Sequence, residues 1–251
     1  MALARTDYAV QQSTVGGTNA FTTGALTIPA NSLLVVRVAA VTSTGAPTAP
    51  SDNLTLSDSS GLTWTSRLAT DTPGGWGHAS RIWTAETVAG GSLTFTVDCG
   101  ADSIEYYFVE ITAYTGYDTS TPVGATASGT STGSGADSIT LSAAPAADSD
   151  VLAFLSAVSS GSGTPAATPA AGWTEIHDTG VDGWHGVQSQ SRTGSTSTTV
   201  GWGDVEAGGA MDDATLQAIE VTAAASGAAA FNPAAILKRI IRIFRRFYGR
   251  S

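Results

Sequence analysis

Two stretches of the chain are apolar almost without interruption, residues 33–41 and 151–158, the pattern of central β-strands covered on both faces. Shorter runs alternate apolar and polar positions: 25–28, 80–84, 93–97 and 138–141. That period of two places one face in a core and the other outward. Residues 104–114 form the longest β-branched and aromatic stretch. Segments 42–50, 124–135 and 159–169, rich in Gly, Ser, Thr, Ala or Pro, separate these runs and read as loops. No helical period appears before residue 233, which disfavours a parallel α/β fold. The pattern predicts an all-β sandwich or barrel of about 12 short strands.

The runs repeat in order. Ala30-Asn31-Ser32 and the apolar run after it recur as Ala147-Asp148-Ser149 and 151–158. The Gly61-Leu62-Thr63-Trp64-Thr65 segment is echoed by Ala171-Gly172-Trp173-Thr174, and Gly75-Trp76 by Gly183-Trp184. Val109-Glu110-Ile111-Thr112-Ala113 returns as Ile219-Glu220-Val221-Thr222-Ala223. An ordered set of echoes predicts a duplication, with units near 20–116 and 135–227 after an N-terminal segment 1–19. The favoured architecture is one jelly-roll-like β-sandwich to which each repeat gives half the strands. The other is two small sandwiches joined near 119–135.

Residues 231–251 break the pattern. Asn232 suits an N-cap and Pro233 the first helical position. Ile236, Leu237, Ile240, Ile241, Ile243, Phe244 and Phe247 then form an apolar stripe, while Lys238, Arg239, Arg242, Arg245 and Arg246 fill the opposite face. This predicts a basic amphipathic α-helix about 24 Å long, too short to be stable without a partner surface. Charge divides at the same place. All 21 acidic residues lie at or before Glu220, with only Arg5, Arg37, Arg67, Arg81 and Arg192 to oppose them. The body thus carries −16 and the tail +6. An acidic body argues against nucleic-acid binding by that part.

The single cysteine, Cys99, excludes an intrachain disulfide. The first ten residues lack the apolar run of a secretory signal, and no stretch approaches the length of a membrane span. The expectation is synthesis in a host cytoplasm without export by the general route.

The apolar "LLVVRVAAV" run, the Trp-bearing "GLTWT" and "GWTEI" segments and the closing "VEITAYTG" run resemble the β-sandwich accessory proteins of tailed-phage virions, over roughly residues 20–227. Such proteins include head decoration proteins, spikes and tail-associated proteins. The resemblance implies a non-enzymatic virion structural protein, a head decoration or spike subunit, with other capsid or tail proteins as partners. It supplies no catalytic residues and does not extend to the terminal helix. That helix is expected to anchor the body by docking in a groove of another virion protein or by self-association into a homo-oligomer. Folding back on the acidic body, lying on a membrane and binding nucleic acid are the remaining possibilities.

The rival reading is a carbohydrate-binding or adhesin module on a phage tail or bacterial surface. Trp76 with His78, and Trp184 with His185 and Asp182, offer rings beside polar groups in repeated loops. The structural alternative is that these tryptophans cap the sandwich core. His78, His177 and His185 lack the spacing of a metal site. Asp204, Glu206, Asp212 and Asp213 lack that of a calcium loop. No Gly-x-Ser-x-Gly elbow precedes a helix, and Cys99 follows Asp98, a neighbour that opposes thiolate formation. The expectation is no enzyme activity, no metal and no cofactor.

Overall fold

The structure, a computed structural model, describes residues 2–14, 20–42, 53–72, 78–100, 104–131, 136–159, 166–181, 184–206 and 211–225. The predicted terminal helix, 231–251, lies outside the described residues. The described chain is all-β and antiparallel. Its first half contributes β1 (Ala4–Asp7), β2 (Gln11–Thr14), β3 (Ala20–Thr22), β4 (Leu26–Ile28), β5 (Ser32–Thr42), β6 (Thr55–Asp58), β7 (Thr65–Asp71), β8 (His78–Thr87), β9 (Gly91–Leu93), β10 (Phe95–Asp98) and β11 (Ile104–Thr115). The second half contributes β12 (Val123–Ser131), β13 (Ala136–Thr140), β14 (Asp150–Ser159), β15 (Ala166–Pro169), β16 (Thr174–Val181), β17 (His185–Thr193), β18 (Thr199–Glu206) and β19 (Met211–Val221).

Among the described strands no sheet mixes the halves. A large sheet in the first half runs β1-β11-β5-β8-β7, with β2 also on β11, and a small one runs β3-β10-β6. The second half repeats both orders, as β12-β19-β14-β17-β16 and β13-β18-β15. A two-stranded β4-β9 pair completes the described set. Each half therefore builds its own two-sheet sandwich, rather than lending half the strands to one shared sandwich.

The two large sheets then pack on each other, giving four layers. Leu34, Val36 and Val38 of β5 face the small sheet, where they meet Phe95 and Val97. Leu33 and Val35 face the other way and meet Leu152, Phe154, Ile219 and Val221 of the second half. Val151, Ala153 and Leu155 of β14 turn to their own small sheet, against Val200 and Trp202. This double burial is why β5 and β14 read as nearly unbroken apolar runs. Each fully buried large aliphatic or aromatic side chain contributes about 1.5–3 kcal/mol. Across the seam β5 lies on β14, β11 meets β17 through Phe108 and Val187, and β8 meets β19 through Ser80 and Gln217. Such crosswise meeting of equivalent strands is what a twofold axis produces.

Several expectations change. The described residues hold nineteen strands rather than about a dozen. The 124–135 stretch, read as loop, contains most of β12, and the segment ahead of residue 20 contains β1 and β2. These strands occupy matching places, β1 beside β11 and β12 beside β19. The Val109-Glu110 and Ile219-Glu220 echo is also out of register. Leu34 pairs with Ala113 and Ala85, whereas Val151 pairs with Glu220 and Arg192. Glu220 thus stands where Ala113 stands. It faces its own sandwich and accepts the Ala125 and Ala146 amides at 2.7 and 2.8 Å. Glu110 faces the seam.

The outer strands β7 and β16 each carry a register irregularity against their neighbour, between Ser66 and Leu68 and between Glu175 and His177. After β19 the chain bridges Tyr117 through Ala223, and the Ala224 amide donates to the Gly116 carbonyl at 2.9 Å. Gly116 has φ 75°, and a side chain there would strike the Ala2 carbonyl. The start of the described chain and its exit toward the tail therefore share one end of the body.

Candidate functional site at the seam

The polar chemistry of the described residues concentrates where the two large sheets meet. Arg37 is the lone charge in the β5 run, and its register partner on β11 is Glu110. Arg37 Nη1 donates to Glu110 Oε2 at 3.1 Å, with both side chains fully enclosed. Arg37 Nε donates to Ser80 Oγ at 3.1 Å, and Ser80 Oγ donates to Gln217 Oε1 at 2.9 Å across the seam. Gln217 Nε2 donates to Thr70 Oγ1 and to the Ser80 carbonyl. The guanidinium also stands 5.7 Å from the centre of the Phe154 ring. Burial lowers the Arg37 pKa, and Glu110 opposes that shift.

Farther along the same face lie two histidines. His78 opens β8 and His185 opens β17, and both are buried. Their rings stack at 5.8 Å with 24° between planes, and Tyr106 sits 5.1 Å from the His185 ring. Ser156 Oγ hydrogen-bonds His78 Nδ1 at 3.2 Å. Burial, then the neighbouring His185 and Arg37, push the His78 pKa down to about 3, so this ring is neutral near pH 7.

Two matching clefts open at the seam's other end. One, of about 340 Å³, is lined by Arg5, Asp7, Asp150, Thr174, Ser191 and Thr193 among others. The other, of about 260 Å³, is lined by Thr65, Arg67, Thr84 and Glu86 among others. The pairs Thr174–Ser191 and Asp150–Thr193 in the first occupy the register places of Thr65–Thr84 and Leu33–Glu86 in the second. In the first cleft Asp150 accepts from Arg5 Nη1 at 2.9 Å, Tyr114 at 2.7 Å and Thr193 at 2.9 Å. Arg5 also holds Asp7 at 2.9 Å. In the second, Tyr117 donates to Glu86 at 3.1 Å and Arg67 to Thr84 at 2.8 Å. Burial and the adjacent Asp150 hold the Tyr114 phenol well above its ordinary pKa. Asp150 is held by three donors of the chain itself, so the first cleft acts as a latch between β1, β11 and β14.

The sequence-predicted residues fall as follows. Ile236, Leu237, Ile240, Ile241, Ile243, Phe244 and Phe247, with Arg239, Arg242, Arg245 and Arg246, lie outside the described residues, as do Trp76 and Asp182. His78 and His185 are brought together, but inside the seam and away from any sugar-accessible surface. Trp184 is 42% exposed beside them in sequence. Cys99 is buried. Asp213 is buried on β19, on the same face as Thr215 and Gln217. Among the described residues no group of three His, Cys, Asp or Glu is placed to hold a metal ion. The latch of Arg5, Asp150 and Tyr114 was missed in sequence, because its members lie far apart and in unremarkable surroundings. Arg37 left a legible signal, the lone charge within an apolar run, whereas Glu110 shares its stretch with Glu105.

Comparison of the chain with family models, with curated proteins and with solved structures finds no match.

Proposed function

We propose that this chain is a non-enzymatic structural protein of a tailed-phage particle, a head decoration or spike subunit. In this reading a duplicated, jelly-roll-like β body faces outward and residues 231–251 form the helix that attaches it to other virion proteins or to sister subunits. The observation that carries the reading is the charge division: an acidic, Lys-free body followed by a tail with six basic residues and no acid. The burial pattern supports an external partner for the tail. Among the described residues only Val88 (80%) and Trp184 (42%) are large exposed hydrophobics, which gives the Leu237, Ile240, Phe244 and Phe247 stripe little apolar surface to cover at home. A strongly negative exterior would keep crowded copies soluble and mutually repelling.

The test is particle assembly with a chain ending at residue 230. The expected outcome is a folded, soluble body that fails to join particles. Undiminished incorporation overturns the proposal. Loss of glycan binding by a folded Trp184→Ala variant would instead favour a sugar-binding module.

A further inference from the structure

The histidine pair serves neither the latch nor the tail. Each ring begins the same strand of its half, and the two meet only because the large sheets close on each other. The groups facing them come from every neighbouring strand: Arg37 on β5, Tyr106 and Glu110 on β11, Ser156 on β14, and Asp213 on β19. Glu110 is already engaged by Arg37. A proton on His78 would therefore place a cation against the stacked His185 ring and near the buried Arg37 guanidinium, out of water. Faces that have parted pay no such penalty, because His78 then takes up its proton in solvent.

We infer that the seam is an acid-operated joint, closed near neutral pH and opened by protonation of the buried His78, with the two sandwiches parting as folded units. The sandwich interiors hold their shape because they are built from apolar side chains such as Val36, Phe95 and Val97 in the first half and Leu155, Val200 and Trp202 in the second. For a ring that accepts its proton at about 3 when closed and near 6.5 when open, each pH unit lost between those values favours the open form by up to about tenfold.

The test uses the full chain from pH 7 to pH 3.5. Small-angle scattering and far-UV circular dichroism follow dimensions and strand content. Hydroxyl-radical footprinting follows Phe108 and Phe154 on the seam against Phe95 and Trp202 inside the sandwiches. The expected result is growth in radius and oxidation of Phe108 and Phe154 while strand content, Phe95 and Trp202 hold. Either variant, His78→Gln or His185→Phe, is expected to lower the midpoint by at least about one pH unit. One coincident transition of all probes overturns the inference, and so does an unchanged midpoint in whichever variant folds.

Discussion

At the scale of single residues, Arg37 and Glu110 are the most consequential pair. Removing one member of a buried ion pair leaves the other uncompensated, at about 3–5 kcal/mol, whereas replacing both with apolar residues costs far less. Arg37→Met is therefore expected to lose about that much stability in urea denaturation, and Arg37→Met with Glu110→Leu to regain most of it. His78 sets a pH dependence of known sign. Its folded pKa of about 3 lies below the unfolded value near 6.5, so the unfolded chain takes up the proton first as pH falls. Its contribution is complete above about pH 6.5 and shrinks toward pH 3, by up to about 1.4 kcal/mol per pH unit. His78→Gln is expected to flatten the slope of unfolding free energy against pH in that window. An unchanged slope would mean that other groups govern it.

At the scale of elements, legibility followed polarity. The runs of β5, β14 and β11 stood out because most positions on both of their faces are apolar, and β10 because its alternation matches one buried face. β17 did not, although all seven residues from His185 to Ser191 are buried. Each of its glutamines makes one hydrogen bond inside the fold: Trp202 Nε1 donates to Gln188 Oε1 at 2.8 Å, and Gln190 Nε2 donates to the Gly201 carbonyl at 2.7 Å. β12 was hidden for a related reason, since its Gly, Thr and Ser residues read as loop until β19 supplies a ladder. The histidines were recognised as equivalent, but sequence alone could not say that two strand starts from different halves would meet. Deleting residues 1–14 removes β1 and β2 from the edge of β11 and takes Arg5 from Asp150. The expected outcome is a lower melting temperature with light scattering on heating; an unchanged melt would mean that the edge is dispensable.

At the scale of the whole molecule, two sandwiches of matching strand order share a seam whose apolar patches flank a buried Arg37–Glu110 network and give way to polar groups toward both ends. Each half owns a core, yet each also exposes Leu33 and Val35, or Leu152 and Phe154, unless the other half covers them. Residues 1–118 and 119–225 produced as separate chains are expected to aggregate alone and to form a soluble one-to-one complex when co-expressed. Sizing with native mass spectrometry checks this, and two soluble, non-interacting halves would contradict it. The charge division between body and tail was fully legible in composition, since it needs no tertiary information.

The paired irregularities in β7 and β16 bear on crowding. A flat, regular outer strand offers its backbone to any neighbouring chain, whereas a bulged one twists its hydrogen-bonding groups out of line. Both halves interrupt an outer strand in this way. Molecules held shoulder to shoulder at high local density would thus find it hard to zip together along these two borders into fibrils, even where thermal motion brings the borders into contact.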